Sequence, residues 1–96
     1  MMYHLYITDT AQANIHEITQ WYEDQQASLG WRFREAVFRT VQRIHERPLM
    51  YPVYSFDARR ALVKDFPYIV LYGVLGDVVS IVAVFDGRQR RSPWRP

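Results

Sequence analysis

Arginine is the residue of this sequence best suited to recognising a charged partner. Eleven of the twelve basic residues are arginine, and a guanidinium donates paired hydrogen bonds to a phosphate or a carboxylate. Residues 1–48 carry five basic and six acidic side chains, whereas residues 49–96 carry seven basic and four acidic ones. The second half therefore supplies the candidate binding residues, which we predict to be Arg60, Lys64, Arg88, Arg90, Arg91 and Trp94.

Two arrangements of these residues indicate a basic surface for nucleic acid or for an acidic protein. Arg60 and Lys64 share one face of a predicted strand by the alternation of side chains, although a solvated strand edge would show the same spacing. The arginines of the tail surround an aromatic ring, which favours a partner contact over a solvated run. These tail residues are Arg88, Arg90, Arg91 and Arg95, beside Trp94.

Proton transfer and metal binding find little support in the sequence. His16-Glu17 begins like the zinc-binding helix of a metalloprotease, but Gln20 occupies the position of the second histidine. His4 and His45 fall in the first predicted strand and the second predicted helix, away from the basic residues of the second half. Cysteine is absent, and neither a glycine-rich phosphate loop nor a recognisable serine nucleophile occurs. The sequence therefore predicts no catalytic residue, no metal site and no cofactor, and a conventional enzyme is not expected.

The first half of the sequence predicts a strand and two helices. Alternating apolar residues predict a strand over residues 3–8. A helix follows from near Asp9, capped by Asp9 or Thr10, and ends around Gln26. After a tight connection at residues 27–30, a second helix runs to Pro48, which cannot continue it. The two form an antiparallel hairpin, and Glu35 and Arg39 are an i,i+4 pair on its exposed side.

Three strands follow an irregular crossover over residues 49–57. They are predicted at residues 59–65, 68–75 and 78–85, with turns at Phe66-Pro67 and at Gly76-Asp77. The order β-α-α-β-β-β predicts an α+β fold, a small antiparallel sheet with a helical hairpin packed on it. The 96 residues allow one domain, residues 1–96, which ends in a basic tail over residues 87–96. The lack of cysteine, of a leader and of a long apolar run favours a soluble cytoplasmic protein.

In this order and spacing, a set of short motifs resembles the RelE/ParE superfamily of bacterial type II toxins, often labelled plasmid stabilisation proteins. The resemblance covers nearly the whole chain and implies a helical hairpin on a small antiparallel sheet, as the residue pattern also predicts. The motifs are Trp21-Tyr22, Phe33, Pro48, Arg59-Arg60, Phe66-Pro67-Tyr68 with Tyr72, Gly87-Arg88 and Pro93-Trp94.

The resemblance implies one of two toxic activities. Some members cut mRNA on the ribosome, whereas the ParE type poisons DNA gyrase. Where the mRNA-cleaving relatives place an ionisable Tyr or His, this chain has Phe85, Asp86 and Trp94, and cutting RNA needs an acid and a base. We therefore predict a ParE-like gyrase inhibitor. An mRNA interferase and a toxin-fold binding module without activity stay open as alternatives.

The resemblance also implies a partner. Toxins of this superfamily are neutralised by a small antitoxin that wraps around them, so we expect a hetero-oligomer with a cognate antitoxin. The basic tail and the sheet edge are the expected contact sites, because antitoxin segments tend to be acidic and an extended segment adds to a sheet edge. Neither a membrane nor a small-molecule substrate is expected.

Overall fold

A computed structural model of the chain describes residues 2–88. Two helices and five strands follow one another along the chain, and the helices pack on one face of a single sheet. The elements are β1 (His4–Ile7), α1 (Asp9–Gln25), α2 (Leu29–Glu46), β2 (Val53–Ser55), β3 (Ala58–Leu62), β4 (Tyr68–Leu75) and β5 (Val78–Asp86). The α+β prediction is confirmed, as are the helical hairpin, β4 and β5. Neither described helix combines the length and apolarity that a membrane span requires.

The first helix begins at Asp9, as the sequence predicts, but its capping residue is neither Asp9 nor Thr10. Thr8 is the cap, because its hydroxyl oxygen accepts a hydrogen bond of 3.1 Å from the backbone N–H of Ala11. Asp9 lies in the first turn instead, where its carboxylate faces the positive end of the helix dipole. The Thr8 hydroxyl also donates to the carbonyl of Val82, 3.2 Å away, so the cap joins the start of α1 to β5.

The connection between the helices is held by a carboxylate rather than by a capping serine. Glu23, near the end of α1, accepts hydrogen bonds of 2.9 Å from the N–H of Ser28 and 3.0 Å from the N–H of Gly30. These donors would otherwise be unpaired at the start of α2. Gly30 is required here, since a Cβ on it would lie 2.4 Å from the carbonyl oxygen of Thr19. The close approach fixes the crossing of α1 and α2.

The sheet is mixed and has one more strand than predicted. Its order is β1-β5-β4-β3-β2, and the antiparallel prediction holds for every pair except β1 with β5, which is parallel. A parallel pair needs a long connection, and here both helices and three strands separate the two partners. Strand β2 was missed because it has three residues, follows Pro52, and exposes both Val53 and Tyr54. Strand β3 ends at Leu62, three residues before its predicted end.

The main core lies between the helices and the sheet. Helix α2 contributes its buried stripe, and the facing strands contribute every second residue; the largest buried side chains include Phe33, Ile44, Val70, Tyr72 and Ile81. The Phe66-Pro67-Tyr68 turn belongs to this core, since the rings of Phe66 and Tyr68 both lie 5.3 Å from Phe33. The two rings of this turn therefore have a structural role, since they cover the edge of the core.

The opposite side of the sheet, which we call the outer face, lacks a helix among residues 2–88. A smaller buried cluster occupies its centre, formed by Ile69, Leu71, Ala83 and Phe85. Cross-strand register places Arg60 beside Leu71 and Leu62 beside Ile69, so both residues of β3 point to the same side. The outer face thus combines apolar residues with one of the predicted binding arginines.

Candidate functional site

A groove on the outer face brings together two of the predicted binding residues, Arg60 and Arg88. Its volume is about 550 Å³. Apolar side chains form most of its lining, and Arg60 and Arg88 are the charged residues among those that line it. We call it the basic groove; it is lined by Tyr51, Pro52, Arg60, Ala61, Leu62, Pro67, Ile69, Gly87 and Arg88.

The neighbouring arginines of β3 have different roles. Arg60 points to the outer face, where its guanidinium lies over the Tyr54 ring at 5.1 Å from the centroid. Arg59 points to the helical side and donates to two carbonyls of the crossover, Leu49 at 3.3 Å and Tyr51 at 2.5 Å. Alternation along a strand separates the pair. Arg59 therefore holds the wall of the basic groove, and Arg60 contributes to its surface.

A buried tyrosine also holds the crossover that forms one wall of the basic groove. The hydroxyl of Tyr72, a fully buried residue, donates a hydrogen bond of 2.5 Å to the carbonyl oxygen of Pro48. Burial is the main cause that raises the pKa of Tyr72 to about 12, because the charged phenolate is poorly solvated there. The phenol stays neutral and anchors the crossover from which Tyr51 and Pro52 reach the groove.

At the other end of the groove, Asp86 orients Arg88. The Arg88 Nε lies 3.0 Å from Asp86 Oδ1, its Nη2 lies 2.7 Å from Oδ2, and its backbone N–H also donates to Oδ1 at 2.8 Å. The side-chain hydrogen bond from Arg88 lowers the pKa of Asp86 below its ordinary value and raises that of Arg88. The Arg88 side chain is 74% exposed, so its outer nitrogen can still bind an anion.

Two tyrosines lie beside this ion pair on the helical side. Tyr22 packs between Phe33 and Phe66, with ring centroids at 5.4 and 5.1 Å, and its ring meets that of Tyr68 at 6.1 Å. Burial raises the pKa of both phenols, while the charge of Arg88 partly opposes it. Both hydroxyls are therefore protonated at neutral pH and are poor general bases.

The structure brings two of the predicted binding residues together and revises the setting of another. Arg60 and Arg88 meet at one groove. Lys64 does not share a strand face with Arg60, because β3 ends at Leu62 and Lys64 lies in the turn that follows, exposed to solvent. The remaining predicted residues lie outside the described residues; they are Arg90, Arg91 and Trp94.

Sequence reasoning missed two residues that shape the groove. Tyr54 was placed in the unassigned crossover, yet its ring lies under Arg60 and 6.4 Å from the ring of Phe85. Asp86 was noted as a departure from the family pattern, not as a partner of Arg88. An acidic residue two positions before an arginine, just after a strand, is a usable signal, because a side chain folding back over a turn reaches that distance.

The arrangement is suited to binding and not to proton transfer. A mostly apolar groove bordered by two arginines matches a polypeptide that carries both apolar and acidic side chains. Beside Arg88, the carboxylate of Asp86 is bound to its guanidinium and the phenols of Tyr22 and Tyr68 have raised pKa values, so these three groups are poorly suited to proton transfer. Among residues 2–88, no three His, Cys, Asp or Glu side chains are grouped to hold a metal ion.

Comparisons with known proteins agree with this fold. A family model described as the ParE toxin of the type II toxin-antitoxin system parDE matches residues 5–91. Among solved structures, the chromosomal ParDE toxin-antitoxin system of P. aeruginosa is similar, with a TM-score of 0.81 and 16% sequence identity. That match covers 88% of this chain and 96% of the other, and at such low identity it shows the fold alone. No curated protein matches the sequence.

Proposed function

Since the chain belongs to the ParE toxin family of type II toxin-antitoxin systems, we propose that it stops bacterial growth by binding DNA gyrase in the cytoplasm. A cognate antitoxin neutralises it by covering the same surface. The proposed mechanism is contact with a protein, and no bond of a nucleic acid is cut.

The observation that carries this proposal is the makeup of the basic groove. Arg60 and Arg88 lie on an apolar floor, and arginine on apolar surface is the composition that dominates the energy of protein interfaces. RNA cleavage by attack of a 2′-oxygen would require a base near the phosphate. Asp86 is a poor candidate because its carboxylate is engaged by Arg88, and the raised pKa values of Tyr22 and Tyr68 count against them too.

The proposed gyrase-binding surface extends from the groove into the basic tail. Arg88 ends the described part of the chain, and three more predicted binding residues follow it within six positions: Arg90, Arg91 and Trp94. Lys64 adds positive charge in the turn next to β3. An arginine provides forked hydrogen bonds and a tryptophan provides large rigid area, so these residues are expected to anchor the complex.

The antitoxin is proposed to bind at the sheet edge as well as over the basic groove. Strand β1 is the last strand on its side of the sheet, and its outward side chains are accessible, with Tyr6 56% exposed. An extended segment can pair with such an edge through backbone hydrogen bonds. Acidic residues in that segment would then be drawn to the arginines of the groove.

The purified chain tests the choice of target. We expect it to inhibit gyrase supercoiling, or to stabilise gyrase cleavage complexes, and to leave mRNA intact on translating ribosomes. The Arg88→Ala variant, which removes one guanidinium from the exposed end of the groove, should weaken the gyrase effect. Codon-linked mRNA cleavage with no effect on gyrase would instead identify an mRNA interferase.

Expression in bacteria tests the toxin assignment itself. Growth should slow when the chain is expressed alone and recover when the adjacent small gene is expressed with it. Normal growth with a folded, soluble product at matched expression would favour a binding module without activity.

A further inference from the structure

The outer face leaves large apolar side chains exposed, although helices cover the other face of the sheet. Leu62 is 73% exposed and Leu75 is 85% exposed. Leu62 lies on this face by its register with Ile69, and Leu75 lines a depression of about 400 Å³ there. Contiguous exposed apolar side chains on a globular chain mark an interaction surface. The outer face therefore has the composition of an interface.

The charges of the outer face are separated along the strands. Arg60 and Arg88 border the basic groove, whereas Asp57 borders the depression beside Leu75, towards the other end of the strands. The guanidinium of Arg88 already has a partner within the chain, the carboxylate of Asp86. Arg60 and Asp57 are both exposed. A partner that presents an acidic group to Arg60 and a basic group to Asp57 is therefore complementary to this face.

A second copy of the chain provides these charges in the required order. A half-turn about an axis that lies between two outer faces and crosses the strands reverses the strand direction and places β3 over β3. With the axis midway between Asp57 and Arg60, the carboxylate of each copy faces the guanidinium of the other. The contact is isologous, so the same ion pair forms twice. Arg59 pairs with Tyr72, so this axis crosses β4 between Tyr72 and Gly73.

The residues nearest this axis are small, which lets the two sheets approach. A Cβ placed on Gly73 would meet no atom within 4 Å, and Ala58 and Ser80 line the same depression. Large side chains lie farther out. The half-turn carries Leu75 over the Ile69 end of β4 in the second copy, and Ile69 lines the basic groove. Sheets that pack face to face in this way are a common arrangement, with interdigitated side chains between them.

We propose that two copies of the free toxin associate through their outer faces, with antiparallel strands and Asp57 of each copy bound to Arg60 of the other. The dimer covers both basic grooves and so masks the surface proposed for gyrase. The masking rests on the proposed function, whereas the association does not. Each face measures about 20 by 20 Å, about half the area of a standard interface. The dimer is therefore weak, with a dissociation constant on the order of 10 μM.

Analytical ultracentrifugation of the purified chain tests the association. We expect a reversible equilibrium between monomer and dimer in the micromolar range. Asp57→Arg and Arg60→Asp should each weaken the dimer more than tenfold, because symmetry repeats the new repulsion at two places. Asp24→Arg, on the exposed side of α1, makes the same change of charge away from the outer face. This matched control should leave the dissociation constant unchanged.

An equimolar mixture of Asp57→Arg and Arg60→Asp gives the sharpest test. In the mixed dimer one contact is the native pair, and the other is the same pair with its charges exchanged, so both contacts are attractive. A fluorescent label on one variant should reveal a mixed dimer with an affinity within about threefold of wild type. Each variant alone should stay monomeric at the same concentration. A variant that had lost its fold could not restore the complex.

Three results would overturn the proposed dimer: a wild-type chain that stays monomeric throughout the micromolar range, a dimer that both charge reversals leave intact, and a mixture of the two variants that stays monomeric. A dimer insensitive to the charge reversals would place the contact elsewhere, such as the edge of β1.

Gyrase supercoiling tests the masking separately. Asp57→Arg should inhibit gyrase at a lower total concentration than both wild type and Asp24→Arg, because its groove is always free. Equal inhibition by the three proteins above the dissociation constant of the dimer would overturn the masking. If none of them inhibits gyrase although the wild-type dimer and the mixed dimer form, the proposed function fails and the association stands.

Discussion

The outer face of the sheet and the exposed side of α2 both display arginines beside aromatic rings, but they hold them differently. On α2, Arg34 lies 5.4 Å from the centroid of Phe38, and Arg39 pairs with Glu35 at 3.4 Å, where both side chains are well exposed. On the outer face, Arg60 and Arg88 border one concave apolar floor. Arginine and aromatic content does not separate the two regions; what separates them is the lining of the groove, which is mostly apolar, whereas the shallow depression on α2 is about equally polar and apolar.

The difference follows from where the side chains of each region come from in the chain. Helix α2 buries its opposite side in the main core, and its exposed pairs are neighbours three or four positions apart on the same helix, worth a few tenths of a kcal/mol. In the basic groove, by contrast, Arg60 lies in β3 and Arg88 follows the end of β5, and β4 separates these two strands. A site built from distant parts of the chain exists only in the folded protein, so we expect function on the sheet and structure on the hairpin.

Glycine substitutions should give the largest difference between the hairpin and the outer face, measured as the free energy of unfolding. Gly30→Ala places a Cβ 2.4 Å from the Thr19 carbonyl oxygen, and backbone cannot yield there as a flexible side chain would. We expect the free energy of unfolding to fall by about 3 kcal/mol. Gly73→Ala, which meets nothing within 4 Å, should leave it unchanged or raise it by about 0.5 kcal/mol. Urea denaturation of both variants measures the difference, and similar losses would contradict the described helix crossing.

Arginine substitutions should give the next largest contrast, this time in function. Arg60→Ala and Arg88→Ala should each weaken the gyrase complex more than tenfold, about 2 kcal/mol, since interface arginines are frequent anchors. Arg39→Ala removes only an exposed helix pair and should change binding less than twofold. Growth inhibition at matched expression, with melting curves to confirm folding, tests all three. If Arg39→Ala alone reduces toxicity, the active surface lies on the helical hairpin around Trp21, Arg32 and Arg39.

The sequence predicts the hairpin better than the sheet because helical contacts are local. Apolar residues at helical spacing predict α2 through to its last turn, and Pro48 marks its end. The direction of β1 depends on a partner more than seventy residues away, for which no short pattern exists. That Arg60 and Arg88 line one groove depends in the same way on strand order. The Asp86 to Arg88 contact, however, is local, and an acidic residue two positions before an arginine is a pattern that could have predicted it.

Removing the Tyr72 hydroxyl should have a smaller effect, on the free energy of unfolding, because this hydroxyl anchors the crossover beside the groove. Tyr72→Phe leaves the Pro48 carbonyl without its buried donor, at a cost of about 1 kcal/mol. The pKa of Tyr72 is raised to about 12, so the contribution of this residue to stability depends on pH. Because the neutral phenol is favoured in the folded state, its stabilisation is complete below pH 10 and is lost as the pH rises toward 12. Chemical denaturation of wild type and Tyr72→Phe should therefore differ at pH 8 and converge at alkaline pH.

The smallest expected effect concerns how Arg88 is oriented. The Asp86 carboxyl has a lowered pKa because Arg88 hydrogen-bonds its charged form, so the contact is complete above the ordinary aspartate pKa and is lost only as the pH falls below it. An NMR titration of the carboxyl should show this low value in wild type and a return to the ordinary range in Arg88→Gln. The ion pair is largely solvated, with the Arg88 side chain 74% exposed, so the substitution should hardly change the melting temperature.

Asp86→Asn then connects this orientation to function. The amide keeps the shape of the carboxylate but removes its charge, so Arg88 loses its bidentate partner and samples more rotamers. If a fixed guanidinium matters, gyrase binding should weaken about threefold, less than in Arg88→Ala, while Glu35→Gln beside Arg39 on α2 has no effect. Stronger binding by Asp86→Asn would show instead that the carboxylate restrains Arg88, and that releasing the guanidinium outweighs positioning it.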